Sequence, residues 1–369
     1  MTRRLLYLNG LAVIAAALNH AIYRVLPPML AAINLSVGGR LGLAERLSYP
    51  NLVLLQILDL VAVAAVPIFL FVSGFFIAIS TSRSEKTISW KIVSKRIINL
   101  AIPYLIWSIV FLVWTLYRQE MYSFTGLVRA FLVEGVIEPY YYIPMLFTFL
   151  LISPLLVPWA RDRWFALLLV CTALLFSLPV LYYLTILFPD SAVYRNLYEV
   201  FRIWRTPAST FWFALGIVVG FHQPEFKRLI QRLKLMPLIF AILALVLGTF
   251  EIHFLGLMTG RVWIQPQFTF SFQVLSLMLL FTYFYFDTVR LPFNSQLNKL
   301  GLLSFGIYLI HYPVQVYFVE LIQVYMPRVM EFPLVEVVTL VAIGLVIPVL
   351  LYEIVNRTRL RVYSRLIFG

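Results

Sequence analysis

The sequence predicts an all-α, polytopic membrane protein with about ten transmembrane helices. Its 369 residues are 62% hydrophobic and only 12% charged, whereas soluble domains are about 45 to 50% apolar. The mean hydropathy is +0.92. Apolar runs of about 20 residues, the length that spans a bilayer as a helix, recur along the whole chain.

The first predicted span resembles a secretory signal, because two arginines precede an apolar stretch. That stretch also holds Asn9, Asn19 and His20, which favours a retained first helix. Ten spans put both ends of the chain on one side of the membrane, and we treat residues 1–369 as a single integral-membrane domain. The predicted spans cover residues 5–25, 52–79, 97–117, 140–160, 164–187, 206–222, 235–251, 268–286, 300–325 and 334–355.

The basic residues predict the orientation, since cytoplasmic loops retain Lys and Arg. With the N-terminus inside, 19 of the 29 basic residues fall in inner segments. We therefore expect a multi-pass protein of the plasma (inner) membrane, in contact with its lipids, with both termini cytoplasmic. The net charge of +13 follows from this distribution, so it does not indicate nucleic-acid binding. Among the outer polar breaks, residues 121–136 are predicted to form a re-entrant or interfacial helix.

Two histidines lie within apolar spans, where the lipid cannot solvate an imidazole. His20 is expected roughly 22 Å into the first helix, and Asp59 roughly 10 Å into the second helix from the other side, which places them at similar depth. A carboxylate beside an imidazole fixes its tautomer and raises its basicity, as a general base requires. We interpret the pair as catalytic; the alternatives are a structural link between helices and the proton relay of a transporter.

The second histidine, His311, lies near the middle of the ninth span. Pro313 frees a backbone carbonyl one turn earlier, and Ser304 and Gly306 permit close packing. The residue is expected to be either a packed polar bridge or a group that lines a pore. His222 and His253 are interpreted as loop or boundary residues.

A small pair, Ser73 and Gly74, lies in the cytoplasmic half of the second span, where it would let a neighbouring helix approach closely. A basic run follows, and it has two interpretations. It is either the ordinary inner-side charge together with lipid headgroups, or a site for a phosphorylated cytosolic donor, which Arg and Lys suit. The run consists of Arg83, Lys86, Lys91, Lys95 and Arg96.

Aromatic residues beside charged groups cluster on the outer side. Tyr and Trp are enriched at membrane interfaces, so an interfacial belt is one interpretation. Flat aromatic faces beside hydrogen-bonding charges would also suit a sugar ring. The residues are Glu138, Tyr140, Tyr141, Tyr142, Tyr198, Glu199, Arg202, Trp204, Arg205 and Trp212.

The chain has no Cys/His zinc spacing, no phosphate-binding Gly-rich loop, no nucleophile elbow and no Rossmann signature. The sequence therefore predicts neither a metal site nor a bound cofactor. Its one cysteine, Cys171, can form no internal disulfide.

Taken together, these segments resemble acyltransferase family 3, integral-membrane enzymes that acylate surface glycans, lipids and related molecules. The resemblance runs nearly end to end and is carried by the order of several short motifs. These are Leu8-Asn9-Gly10-Leu11 leading to His20, Pro67-Ile68-Phe69 through Ser73-Gly74-Phe75, Lys95-Arg96 through Pro103-Tyr104, Tyr142-Ile143-Pro144 with Pro154, Phe211-Trp212-Phe213-Ala214-Leu215-Gly216, and Ser304-Phe305-Gly306-Ile307-Tyr308-Leu309-Ile310-His311.

The resemblance implies helices around a central cavity, an acyl-CoA donor presented from the cytoplasm, and transfer of the acyl group, often acetyl, to a hydroxyl of an extracytoplasmic glycan, glycolipid or lipid-linked sugar. His20 matches the catalytic base of the family. The family's arginine before that histidine falls on Asn9 or, by the alternative alignment, on Ala12. Its Arg-x-x-Arg motif is represented by Arg96 and Asn99.

We therefore expect His20, oriented by Asp59 or another polar partner, to deprotonate an acceptor hydroxyl that attacks a thioester. His311 is expected to position donor or acceptor. Ser73, Lys95 and Arg96 are predicted on the donor side, and Arg202 and Arg205 on the acceptor side. The alternatives are a proton-coupled transporter or glycan exporter, with His20, Asp59 and His311 as its relay, and a catalytically inactive paralogue.

Overall fold

The computed structural model describes residues 2–32, 49–81, 85–117, 124–203, 205–286, 289 and 291–369, and these residues contain helices but no strand. The α-helices are α1 Thr2–Ala32, α2 Pro50–Ala62, α3 Ala65–Ser80, α4 Trp90–Tyr117, α5 Phe124–Arg129, α6 Tyr142–Asp162, α7 Trp164–Leu187, α8 Ala192–Ile203, α9 Thr206–Phe221, α10 Gln223–Leu233, α11 Met236–Thr259, α12 Phe270–Tyr285, α13 Asn294–Leu302, α14 Ser304–Tyr325, α15 Pro333–Arg357 and α16 Ser364–Phe368.

The all-α membrane fold is confirmed, and each of the ten predicted spans corresponds to apolar helix. Within the described ranges, eight stretches are long and apolar enough to cross a membrane, and α9 and α12 are shorter apolar helices. The predicted helix within 121–136 is present as α5 followed by a π-helical turn at Ala130–Glu134. Several boundaries differ from the prediction: α1 continues to Ala32 and α4 already begins at Trp90.

The second span is two helices rather than one. A turn at Val63 and Ala64 separates α2 from α3. Because Pro67 has no N–H, it cannot donate to the Val63 carbonyl one turn earlier. Irregular backbone at membrane depth is tolerated where it lines a cavity, and Val63 and Pro67 do line one, as described below.

Reciprocal glycines hold α3 against α9. A Cβ at Gly74 would overlap the carbonyl oxygen of Phe213, and a Cβ at Gly216 would overlap that of Phe71. The two backbones are therefore in direct contact, as small residues permit in membrane helices. The predicted role of Gly74 in close helix packing is confirmed.

The same arrangement joins α1 to α13. Gly10 lies against the carbonyl of Leu297, and Gly301 lies against the carbonyl of Leu6. Each glycine thus faces the backbone of the partner helix. This contact fixes the depth of α1, the helix that carries His20.

The described chain ends lie at the same end of the bundle. Near the start of α1, the carbonyl of Leu6 lies against Gly301, and near the chain's last residues Phe368 lies against Gly306, only five residues further along. We name this the inner end and the opposite one, where Arg24 and Glu138 lie, the outer end, after the predicted orientation.

Candidate active site

A cavity of about 150 Å³ opens in the outer half of the bundle, and we call it the outer cavity. His20 lines it together with Asn19 and Tyr23, which follow the same helix. The break between α2 and α3 forms a second wall. Its lining also includes Phe69, Glu138, Tyr141, Tyr142, Arg205, Trp212, Gln265, Gln267, Gln273 and Tyr308.

His20 is surrounded by rings. Its ring centre lies 5.3 Å from that of His311 and 5.4 Å from that of Tyr312, which meets it edge on. The Arg24 guanidinium lies 4.5 Å from the centre of the Tyr312 ring and 3.7 Å from a Glu138 carboxylate oxygen. The positive charge of Arg24 is thus paired with a carboxylate.

Asp59 lies level with His20, as predicted, but its hydrogen bond goes to the neighbour of His20. The Asn19 amide donates to Asp59 Oδ1 (2.6 Å), and Tyr23 lies beside the same carboxylate. Among the described residues no hydrogen bond joins Asp59 to His20, and Asp59 does not line the outer cavity. Asp59 therefore anchors α1 next to His20, and its catalytic role stays a prediction.

His311 is fully buried in α14 and does not line the outer cavity, but its ring packs against that of His20. Its Nδ1 is 3.0 Å from the carbonyl oxygen of Ile307 and 2.9 Å from that of Tyr308. The structure thus brings together His20 and His311, which are 291 residues apart in sequence.

A second cavity, of about 350 Å³, lies toward the inner end, and we call it the inner cavity. Ser73 and Arg96 line it, as predicted for the donor side. Asn9 and Asn99, the positions at which the family arginines were expected, line it as well. Ala12, the alternative position, is packed in the hydrophobic core.

Arg96 and its neighbour Lys95 have different surroundings. The Arg96 guanidinium donates to the carbonyl of Phe76 (2.9 Å) and to the Ser80 hydroxyl (2.7 Å), which fastens it to the end of α3. Lys95 is exposed on α4 and does not line the inner cavity. Its predicted donor contact stays a prediction.

Three aromatic side chains line both cavities and form a partition between them. They are Phe69, Tyr142 and Tyr308. The Tyr142 ring centre lies 6.0 Å from that of Phe69 and 5.6 Å from that of Tyr308. The Tyr308 hydroxyl donates to the carbonyl of Pro139, which ties the partition to the outer wall.

The two predicted acceptor-side arginines differ in position. The Arg205 guanidinium lies 4.2 Å from the centre of the Tyr141 ring, and both residues line the outer cavity. Arg202 pairs with Glu199 (2.6 Å) on α8, where its side chain is 42% exposed, and it does not line the cavity. The location of Arg205 suits an acceptor contact better than that of Arg202.

An interfacial belt is the wrong interpretation for Tyr140 and Tyr142, because both are buried. The Tyr140 hydroxyl donates to the carbonyl of Leu309 (2.6 Å), and Tyr142 belongs to the partition. Trp204, predicted beside them, lies outside the described residues.

Sequence reasoning missed three glutamines in the outer cavity. The Gln267 amide donates to the Gln265 side-chain oxygen (3.1 Å), and the Gln273 amide donates to the Gln267 carbonyl (3.1 Å). Gln265 and Gln267 flank a proline in a polar interruption between two apolar helices. The two glutamines beside this proline were the feature of the sequence that could have indicated a polar site, although they did not reveal which cavity the amides would face.

Comparison with known proteins gives one family. The family model described as an acyltransferase domain, that of acyltransferase family 3, matches residues 10–353. No curated protein matches the chain, and no solved structure matches it. The family match covers nearly the whole chain and includes the residues that line the outer cavity, the partition, and the lining of the inner cavity except Asn9. The chain therefore belongs to acyltransferase family 3 and is a membrane acyltransferase.

Proposed function

We propose that the protein transfers an acetyl group from acetyl-CoA, bound at the inner cavity, to a hydroxyl of an extracytoplasmic glycan or lipid-linked sugar in the outer cavity, with His20 as general base. The observation that carries this proposal is the pair of adjoining cavities. His20 lines one of them and Arg96 lines the other, and the same three aromatic residues lie between them.

The outer cavity suits a polyhydroxylated acceptor. Its lining combines the aromatic faces of Tyr141 and Trp212 with the amides of Gln265, Gln267 and Gln273. Amides both donate and accept hydrogen bonds, as sugar hydroxyls do. We expect the reacting hydroxyl of the acceptor to lie against His20.

The chemical step balances without a further reactant. His20 takes the proton of the acceptor hydroxyl while the hydroxyl oxygen bonds to the thioester carbonyl carbon. The carbon–sulfur bond then breaks, and the CoA thiolate receives the proton from the His20 imidazolium. A neutral hydroxyl is a weak nucleophile, so such help contributes about 10² to 10⁴-fold in rate.

Acetyl-CoA turnover tests the proposal. Purified protein in detergent is incubated with radiolabelled acetyl-CoA, with and without membrane glycan and lipid extracts. We expect thioester turnover that rises with the extract and label that appears in the extract. Absence of turnover with acetyl-, butyryl- and octanoyl-CoA, from protein shown to be folded, would contradict the proposal and favour a transporter or an inactive paralogue.

Arg96 is expected to contribute to donor binding. In Arg96→Ala we expect the KM for acetyl-CoA to rise about tenfold, because a cation that lines the inner cavity is lost. Arg96→Lys, which keeps the charge, should recover part of this effect. The exposed Lys227 on α10 supplies the control variant Lys227→Ala. An unchanged KM in Arg96→Ala would place the donor elsewhere.

Phe69 is expected to limit the size of the acyl group that reaches the outer cavity. Phe69→Ala should raise the ratio of butyryl-CoA to acetyl-CoA turnover about tenfold, since each methylene is worth about 10-fold or more in a hydrophobic pocket. Leu280→Ala, a buried change outside both cavities, controls for loss of core volume. The same ratio in both variants would show that the partition does not select the acyl group.

A further inference from the structure

The hydrogen bonds of His311 determine which of its nitrogens carries the proton. Its Nδ1 faces two carbonyl oxygens, those of Ile307 and Tyr308, at 3.0 and 2.9 Å. A carbonyl oxygen only accepts, so Nδ1 must donate. In the neutral imidazole the lone pair therefore lies on Nε2.

His311 Nε2, the nitrogen that carries the lone pair, accepts no hydrogen bond from the described residues. This nitrogen is buried. Buried polar atoms are nearly always paired, so an orphaned acceptor needs an explanation. Of the rings that pack against His311, that of His20 is nearer (5.3 Å between ring centres) than that of Tyr308 (5.9 Å).

The separation of the His20 and His311 rings suits an N–H···N hydrogen bond between them. A ring nitrogen lies about 1.15 Å from its ring centre, so an in-line N–H···N bond of about 2.9 Å puts two imidazole centres about 5.2 Å apart. The centres of His20 and His311 are 5.3 Å apart, with the planes tilted by 40°. The bond is not formed in this conformation, and its formation requires the His20 ring to rotate.

Arg24 and Asp59 also lie near His20. Arg24 pairs with Glu138. Asp59 accepts from Asn19 through Oδ1, whereas its Oδ2 has no hydrogen-bond partner among the described residues. The ring in contact with His20 that carries a free lone pair is that of His311, so we assign the acceptor role to His311 rather than to Asp59.

We propose that His311 is the positioning residue for His20: its Nε2 accepts an N–H of the His20 ring and thereby directs the other His20 nitrogen, with its lone pair, into the outer cavity. This inference rests on the proposed function of His20. It replaces the substrate contact that the sequence predicts for His311, and it gives His311 the role first assigned to Asp59. During transfer the acceptor proton moves to His20 and then to the thiolate, while His311 keeps its own proton on Nδ1 throughout.

Kinetics separate this role from substrate binding. With acetyl-CoA varied at a fixed concentration of membrane extract, His311→Ala should lower kcat about 10 to 100-fold, the usual effect of losing a group that orients a histidine. The KM for acetyl-CoA should stay within about twofold. His311→Gln, which retains an acceptor oxygen, should recover most of the lost kcat. A raised KM with unchanged kcat would overturn the proposal and assign His311 to substrate.

A double variant provides a test that a purely structural role would not pass. If His311 acts through His20, then adding His311→Ala to His20→Ala should change turnover by less than about twofold, because the coupled effect is already lost. A loss of turnover in the double variant that equals the product of the two single losses would overturn the proposal. His253 is the matched control, since its Nδ1 also faces the carbonyl one turn earlier (Thr249, 3.0 Å), yet it lines neither cavity. His253→Ala should match the native protein.

Chemical labelling tests the pair without any substrate. Diethyl pyrocarbonate attacks the lone pair of a neutral imidazole, and the rate at His20 can be followed by peptide mass spectrometry. We expect this rate to fall about tenfold in His311→Ala and to be unchanged in His253→Ala, because the hydrogen bond raises the basicity of His20. An equal rate in the native protein and His311→Ala would overturn the inference. If labelling behaves as expected but no acyl-CoA is turned over, the proposed function fails and the pairing stands.

Discussion

Replacement of His20 by alanine is expected to lower acyl transfer about 10² to 10⁴-fold, the usual contribution of a general base. His20 lines the outer cavity and lies beside His311 and Tyr312. Its removal leaves both cavities and the glycine contacts between helices in place. The loss should therefore fall on kcat, and the thermal unfolding midpoint in detergent should stay close to that of the native protein.

The control for this experiment is His253→Ala, which removes an imidazole from α11 outside both cavities. Initial rates with radiolabelled acetyl-CoA and membrane extract provide the comparison. Near-native transfer by His20→Ala would remove His20 from the mechanism. Asn19→Ala, which takes the hydrogen bond from Asp59, should have a smaller effect, because it loosens the position of His20 without deleting the base.

Replacement of Gly74 by leucine is expected to prevent α3 and α9 from packing together. Even a Cβ at this position overlaps the backbone carbonyl of Phe213, and a backbone atom cannot move aside as the end of a flexible side chain can. Overpacking typically costs about 1 to 3 kcal/mol. We expect Gly74→Ala to fall in that range and Gly74→Leu to exceed it, with loss of most folded protein.

Gly248 supplies the control, because a Cβ there meets first the end of a side chain, Cδ2 of Leu60 at 2.8 Å. Gly248→Ala should therefore cost less than Gly74→Ala. Size-exclusion profiles and unfolding midpoints in detergent measure both. A Gly74→Leu protein that folds like the native one would show that the two backbones are not in contact.

The helices were predictable because the lipid imposes their length and their apolar character. Relative depth also follows from counting along a helix, and the Asn19–Asp59 hydrogen bond (2.6 Å) shows that Asp59 lies level with the neighbour of His20, as the counting predicts. Counting does not reveal which side of a helix faces a given neighbour. For that reason the sequence suggested Asp59 as the partner of His20, whereas the imidazole ring that packs against His20 is that of His311.

The short motifs that carry the family resemblance have physical explanations that the sequence only partly revealed. Gly10, Gly74 and Gly216 each lie where a partner backbone comes into contact. The segment that ends in His311 also supplies Tyr308 to the partition. No local pattern indicates that Phe69, Tyr142 and Tyr308 meet, because they come from three separate segments and their proximity arises only when the helices pack.

The central claim is that a donor at the inner end acylates an acceptor at the outer end through His20. Reconstituted vesicles test it most directly: radiolabelled acetyl-CoA is added to the side that exposes the inner end, established by protease accessibility, and the glycan and lipid extract is enclosed on the other side. We expect label in the enclosed extract with native protein and a loss of about 10² to 10⁴-fold with His20→Ala. Equal labelling by the two proteins, or label confined to the donor side, would contradict it.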